Sequence, residues 1–499
     1  MQRLEEVAFK QGATPEGLME KAGLGIARAI LRRYPVSVSP VSARSGVAIA
    51  CIGSGNNGGD ALVALRHLAD AGWRVGVKCH HSPTSLSALP RKKWRELGES
   101  ITQDLDTGIN LDACESCPLI VLDGLLGIGA RGPLRAPLDE LAAWINHARD
   151  RRGAEVIAMD IPSGVDGDTG VACAGAVVAD LTLTVGVAKV GLLAQAAVNY
   201  TGAIESVPLA GLTPPDGPDD RPCLNDIHSL RGLLARRPHD FHKGDAGRVG
   251  ILAGSRGMLG AAVLCARGAL RAGAGLVTLF TEEELYPTLA AMLPPEAMLR
   301  PVRSLLEIVD GQLDVLAVGP GMGPGDEDAN REFFALLEQF DRPLVVDADG
   351  LNRIASGGVE NHLRPLMTLT PHPGELARLF PDLAGMPRLE ACRAFASRHE
   401  GATLLLKGAR SLVTESGAPV YVNGTGNAAM ASGGQGDVLT GVIAALLGQG
   451  LGQTDAARLG AWLCGRAAEF ALSHGQASTH SLTAGDVPNW LGMAFRELR

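Results

Sequence analysis

Short apolar runs in the first part of this chain break repeatedly into loops that carry a carboxylate among glycines. Val47–Ile52 leads into Gly53-Ser54-Gly55-Asn56-Asn57-Gly58-Gly59-Asp60. Residues 119–122 lead into Asp123-Gly124-Leu125-Leu126-Gly127-Ile128-Gly129-Ala130-Arg131-Gly132-Pro133, and residues 156–159 into Asp160-Ile161-Pro162-Ser163-Gly164-Val165-Asp166-Gly167. One such Asp would be read as a helix cap or turn residue. Three at successive strand ends point instead to a ligand site, because open parallel sheets bind ligands beyond the carboxyl ends of their strands. Asn, carboxylate, hydroxyl and carbonyl oxygens can together hold a hard cation, and so few charges suit a monovalent one. The first loop also fits GxGxxG, with free N–H groups at a helix start that suit a phosphate. A dehydrogenase would add an acid at the end of the next strand, and Val75-Gly76-Val77-Lys78-Cys79-His80 has none. Hydride transfer is the weaker reading.

A second constellation lies toward the C-terminus. Asn423-Gly424-Thr425-Gly426-Asn427-Ala428-Ala429-Met430-Ala431-Ser432-Gly433-Gly434-Gln435-Gly436-Asp437 runs straight into an apolar, helix-like stretch at 438–447. Successive N–H groups at such a start form an anion hole for a transferring phosphoryl group. Asp437 is placed to take the proton of the accepting hydroxyl. The chain has no GxxxxGK[ST], so it is not a P-loop kinase. Further strand-end loops complete this cleft: Gly319-Pro320-Gly321-Met322-Gly323-Pro324, Asp347-Ala348-Asp349, Thr370-Pro371-His372-Pro373-Gly374-Glu375 and Lys407-Gly408-Ala409-Arg410-Ser411. Alone, His372 or Lys407 would read as surface residues; their placement at successive strand ends argues otherwise.

The elements that must position these groups alternate. Leu18, Met19, Ala22, Ile26, Ile30 and Leu31 recur at helical spacing. Continuous apolar runs then alternate with helical stretches, the pattern of a parallel sheet covered on both faces. Thr-Pro-Pro-Asp-Gly-Pro-Asp-Asp-Arg-Pro at 213–222 supports neither helix nor central strand. After it the alternation restarts, with a hairpin expected around Ser416-Gly417. The expected architecture is therefore α/β: two tandem domains, 1–212 and 225–499, joined by a connector at 213–224.

Composition narrows the class. The net charge is −9 and neither half carries a basic excess, which excludes a phosphate-backbone binder and makes nucleic acid an unexpected partner. No apolar stretch is long enough for a membrane helix, and Met1–Glu6 lacks a signal peptide's apolar core. Nine scattered cysteines are not a disulfide framework. Cys114-x-x-Cys117 and His239-x-x-His242 lack the partners of a zinc site. A cytoplasmic protein is expected. The 64 glycines, nearly twice the usual share, gather after strands and suggest close approach to ligands.

With these residues in view a resemblance becomes specific. Asn56–Asp60, Asp123 with its glycine-rich follower, Asp160-Ile-Pro-Ser163-Gly-Val-Asp166, Thr182-Leu-Thr184…Lys189-Val-Gly191 and Leu18-Met19-Glu20-Lys21-Ala22-Gly23 resemble the NAD(P)H-hydrate epimerase family across residues 1–212. The resemblance implies a Rossmann-like domain in which Asn56, Asn57, Gly58, Gly59, Asp60, Gly127, Ile128, Gly129, Ala130, Arg131, Gly132, Pro133 and Asp160 contact the hydrated dinucleotide. It further implies that Asn57, Asp123 and Ser163 ligate potassium. Asp160 is the candidate acid/base. Ala61 stands where that family commonly has a further Gly, and Gly124 where it has Ala.

Lys243-Gly-Asp-Ala-Gly-Arg248, Gly260-Ala261-Ala262 and the strand-end loops of the second half resemble the ADP/ATP-dependent NAD(P)H-hydrate dehydratase family, whose fold is ribokinase-like. This implies that Ala261, Gly323, His372 and Asp437 bind the hydrate, while Lys407, Gly408, Ala409, Arg410, Ser411 and Gly436 hold the nucleotide. The expected cofactor is magnesium with ADP, favoured over ATP, and Asp437 is the expected catalytic base. Gln435 replaces the family's usual Thr. Together the resemblances imply a bifunctional repair enzyme acting on both epimers of hydrated NADH or NADPH. The competing readings are a ribokinase-like vitamin-precursor kinase with an accessory domain, and a first domain that is a non-catalytic nucleotide-binding module. Tandem domains of this kind often assemble, so a homo-oligomer is expected.

Overall fold

The computed structural model describes residues 2–34, 46–80, 82–98, 117–209, 221–475 and 477–499. The chain divides into two compact units, Met1–Pro218 and Asp219–Arg499. Cys114 and positions 213–220 of the expected connector lie outside the described residues.

In the first unit six strands form one sheet: β1 (Val47–Ile52), β2 (Arg74–Lys78), β3 (Leu119–Gly124), β4 (Glu155–Met159), β5 (Leu181–Val185) and β6 (Ala203–Val207). Their order is β2-β1-β3-β4-β5-β6 and every pairing is parallel. The continuous apolar runs follow from burial on both faces. Ala48, Ala50 and Ile52 point to one face, among Ile26, Ile30, Leu62 and Leu65; Cys51 and Val121 point to the other, among Leu141 and Ile145. The predicted first helix runs Pro15–Arg33, capped by the Thr14 hydroxyl, which accepts from Gly17 N at 3.0 Å. From β1 the chain steps outward to β2 and then crosses to β3. The loops after β1 and β3 therefore part, opening a crevice at the carboxyl edge where the strand order reverses.

The second unit has ten strands: β7 (Cys223–Asn225), β8 (Arg248–Leu252), β9 (Leu276–Thr281), β10 (Met298–Pro301), β11 (Val315–Val318), β12 (Leu344–Val346), β13 (Met367–Leu369), β14 (Thr403–Leu406), β15 (Leu412–Thr414) and β16 (Tyr421–Asn423). Their order is β10-β9-β8-β11-β12-β13-β14-β15-β16-β7. Only the β14–β15 and β15–β16 pairings are antiparallel, the latter being the expected hairpin. Cys223 and Leu224 correct the connector assigned on sequence. They are strand residues, because their backbones complete the open edge of β16. Strand order reverses here between β8 and β11, so the loops after these two strands border the crevice.

One contact places the second crevice. The helix Gln435–Gly448 is buried along nearly its whole length after the first turn, as its apolar sequence requires. It meets the helix Leu259–Arg271 backbone to backbone. A Cβ on Gly441 would lie 2.0 Å from Cys265 O, and one on Gly268 would lie 2.4 Å from Val438 O. Gly441→Ala should therefore force the helices apart and cost about 1–3 kcal/mol. The prediction is a clear fall in thermal midpoint, measured by calorimetry on the intact chain, whereas Gly433→Ala, with open space around it, leaves the midpoint nearly unchanged.

Candidate functional sites

In the first unit, Gly53 seals the crevice floor: its N–H donates to Gly124 O at 3.1 Å, and a Cβ there would stand 2.0 Å from Leu125 O. Asp123, at the end of β3, is fully buried. Its Oδ2 accepts from Ser163 N and its Oδ1 from Ser163 Oγ, both at 2.7 Å, with Leu125 N at 3.3 Å. Burial nevertheless pushes its carboxyl up to about 6, against those three donors. Asn57 Nδ2 donates to Leu126 O at 2.8 Å, and Leu126 N donates to Ser163 Oγ at 3.0 Å. The three residues expected to hold a cation thus converge around Leu126. No described Lys or Arg pairs with Asp123.

Asp160 adopts φ +70°, unusual for a residue with a side chain, and such strain collects at functional sites. Its Oδ1 accepts from Lys189 Nζ, from Val185 N at 2.9 Å and from Thr184 Oγ1 at 3.5 Å. Its Oδ2 takes no hydrogen bond from the described residues. Lys189 is buried and also donates to Thr184 Oγ1 and Val185 O, so its ammonium is fully occupied. Half-buried Asp60 is pushed well up, first by desolvation and then by the charges of Asp160 and Glu5. The 127–133 loop covers Asn57, with Ile128 and Arg131 on the surface; Arg131 pairs with Asp168 at 2.8 Å, joining this loop to the one after Asp160. Gly55 caps the helix Asn56–Asp70 without a side-chain hydrogen bond, as an anion-receiving start would be.

In the second unit, Asp437 occupies the first turn of Gln435–Gly448, after Gly434 at φ +90°. No side chain caps the N–H groups there. Its carboxylate takes no hydrogen bond from a described residue. Desolvation, then the nearby charge of Asp347, push it up to about 6; Lys407 pulls the other way. Below it lies fully buried Asp347 at the end of β12, whose Oδ1 accepts from Lys407 Nζ and whose Oδ2 accepts from Thr440 Oγ1 at 2.9 Å. Lys407 Nζ is also 3.8 Å from Glu375 Oε2. Glu375 in turn accepts from His372 N at 2.8 Å, in a reciprocal cap that starts the helix Pro373–Leu379 and leaves the His372 ring half-exposed. Asp349 Oδ2 accepts from Gly323 N at 2.8 Å, and Arg353 holds Gly323 O at 3.1 Å. Ala261 lies against Gly321 of that loop. His372, Lys407 and Gly436 are thus tied together through Glu375 and Asp347, Ala261 and Gly323 belong to the contacts of the 319–324 loop with Asp349, and Asp437 follows Gly436 in the chain.

The other expected nucleotide residues divide. Gly408 and Ala409 are exposed, and Arg388 braces their loop by donating to Leu406 O and Lys407 O. Ser411 closes the turn on Gly408 O at 3.4 Å. Arg410 is buried, and loss of solvent brings its guanidinium down to about 10 against the pull of Glu469. Four residues not singled out as site groups matter here: Lys189, Asp347, Glu375 and Thr440. The first three follow strands, a signal that sequence offers; Thr440 sits within an apolar helix and offers none.

Residues 15–191 match the family described as YjeF-related protein N-terminus, and residues 249–487 match the one described as NAD(P)H-hydrate dehydratase. A bifunctional NAD(P)H-hydrate repair enzyme of Thermofilum pendens is 34% identical, covering 99% of this chain and 94% of its own. One from Escherichia coli is 35% identical, covering 93% and 87%. An ADP/ATP-dependent NAD(P)H-hydrate dehydratase of Bacillus subtilis, solved with ATP and Mg2+, is 28% identical, covers 55% of this chain and 98% of its own, and superposes with a TM-score of 0.47.

The two departures at Ala61 and Gly124 form one pair. A Cβ on Gly124 would stand 2.8 Å from the Ala61 methyl, so the same space is filled from the helix rather than from the strand. Gly124→Ala alone should destabilise by about 1–3 kcal/mol. Adding Ala61→Gly should restore part of this, less the roughly 1 kcal/mol helix cost of Gly. Denaturant melts of the four proteins in the cycle should show a favourable coupling; simple additivity would refute the pairing.

Proposed function

The chain belongs to the family of bifunctional NAD(P)H-hydrate repair enzymes, and we propose that its first unit epimerises hydrated NADH and NADPH while its second dehydrates one epimer with ADP. The observation that carries this reading is Asp437: a carboxylate free of hydrogen bonds from the described residues, at an uncapped helix start, kept basic by burial. Hydroxide leaves poorly, whereas phosphate leaves well. Asp437 takes the proton from the substrate hydroxyl as its oxygen attacks the β-phosphorus of ADP, releasing AMP. The uncapped N–H groups receive the charge building on the phosphoryl oxygens. The ring nitrogen then expels phosphate, and loss of a proton from the adjacent carbon restores the reduced nicotinamide. A magnesium ion bound with the nucleotide would neutralise part of the charge on the transferring phosphoryl group. Ala261, Gly323 and His372 line the hydrate's side, and the 407–411 loop with Gly436 the nucleotide's.

In the first unit the nitrogen beside the hydroxyl-bearing carbon drives ring opening or loss of the hydroxyl. Epimerisation thus needs a proton delivered and returned at one oxygen more than it needs a strong base. Asp160 Oδ2 does this, while Lys189 holds the other oxygen. Asn56–Asp60 and Gly127–Pro133 hold the dinucleotide. Asn57, Asp123 and Ser163 suit potassium, because Asp123 is a buried negative charge met only by neutral donors. A bound monovalent cation would supply the missing charge.

The deciding experiment gives the intact chain both epimers with Mg2+ and ADP and follows nicotinamide absorbance. The whole protein should restore both. Asp160→Asn should restore one promptly and the other slower by about 10²–10⁴-fold. Asp437→Asn should restore neither. Accumulation of a phosphorylated vitamin precursor instead would favour the kinase reading.

Potassium is testable without activity. A carboxyl raised in the fold from the ordinary 3.8 to about 6 costs stability as pH rises through that window, so the cost is partial at pH 5, where the folded carboxyl is still protonated, and complete at pH 8, where it is ionised. Potassium binds the ionised form only. KCl should therefore raise the melting temperature over choline chloride at pH 8, hardly at pH 5, and not at all in Asp123→Asn. An equal effect at both values would remove Asp123 from the cation site.

A further inference from the structure

Asp347 has both carboxylate oxygens engaged, and the chemistry above gives it no task. It is fully buried, its Oδ1 takes the Lys407 ammonium and its Oδ2 takes the Thr440 hydroxyl at 2.9 Å. A Cβ on Gly436 would stand 3.2 Å from both Asp347 Oδ2 and Lys407 Nζ, so the ion pair lies directly under the anion-receiving turn. The backbone that carries Asp347 is closely constrained. Asp347 N donates to Val318 O, a Cβ on Gly319 would meet Asp347 O at 1.9 Å, and Ala348 is held at φ +48°. Lys407 is within ion-pair distance of Asp347 and Glu375 but not of Asp437.

We propose that Asp347 is a positioning residue for phosphoryl transfer, holding the Lys407 ammonium beneath Gly436 and apart from Asp437 so that Asp437 stays unpaired as the base. The inference rests on the dehydration reading of this site. Lys407 is near enough to act on Asp437 through its charge, and without Asp347 its flexible stem would let the two close into a pair; a paired carboxylate is a weak base. With Asp347 in place the cation still faces the incoming phosphates, and the negative field of Asp347 opposes premature ionisation of Asp437. The groups that face Asp437 are Asp347 after β12, Asp349 on the following helix, Lys407 after β14 and Cys265 on the helix Leu259–Arg271; Glu375, beside the His372 ring, acts on it through Lys407. Cys265 is buried and its thiol is pushed far up, so it carries no charge.

The test is the pH profile of dehydration with saturating ADP and Mg2+, whose acid limb should fall near 6 in the unaltered chain. Asp347→Asn keeps an acceptor for Thr440 but removes both the like charge and the anchor of Lys407. Its limb should move down by about one pH unit, with a lower plateau. Lys407→Gln should move the limb up, because Asp347 then acts on Asp437 unopposed. A structural role would lower the plateau without moving either limb. Opposite shifts support the proposal, and unmoved limbs overturn it. If Asp347→Asn does not fold, the direction of the Lys407→Gln limb decides. If the unaltered chain restores no nicotinamide, the dehydration reading fails. The carboxyl infrared band lost in Asp437→Asn still reports the same two shifts and judges the positioning claim separately.

Discussion

Asp123 and Asp437 are both pushed up to about 6 because strand and helix remove them from water at the carboxyl edge of a parallel sheet. Both sites depend on how that desolvation is answered. Around Asp123 the answer is neutral: two donors from Ser163 and one from Leu125, which steady the carboxylate without cancelling its charge. That deficit makes the pocket suited to a monovalent cation. Around Asp437 there is no direct donor among the described residues, and the deficit becomes basicity. In the proposed function, one electrostatic constraint serves an ion site in one unit and a base in the other.

The remaining acids show the complementary solution. Asp160 takes the buried Lys189 and Asp347 the partly buried Lys407. In both crevices an anchored acid stands near one that burial raises, Asp160 near Asp60 and Asp347 near Asp437. Burying a charge is expensive unless it is paired, so in each crevice burial raises the acid that has no lysine partner among the described residues.

Close backbone packing sets these groups in place. The glycine excess suggested loops that approach a ligand, and Gly55, with open space where a Cβ would stand, leaves room for one. Gly268 and Gly441 serve another purpose, letting two helices touch so that the turn before Val438 points into the crevice. Gly53 does the same for the loops after β1 and β3. Sequence cannot separate these uses, since a missing side chain looks alike whether a phosphate or a carbonyl fills its place.

The linear chain determined where strands run and where they stop. Continuous aliphatic runs are what a sheet buried on both faces requires, and polar residues at their ends have nowhere to face but the carboxyl edge. The strand-end carboxylates, the glycine turns and the two α/β halves were therefore legible, and Asp160 and Asp437 could be named as candidates. Only the tertiary structure decided their charge states and partners. Lys407 reaches Asp347, Asn57 meets the loop after β3, and Arg410 turns inward, through contacts between segments far apart in sequence. Coulomb energy and desolvation depend on distance and burial in space, and neither quantity exists until the strands are ordered.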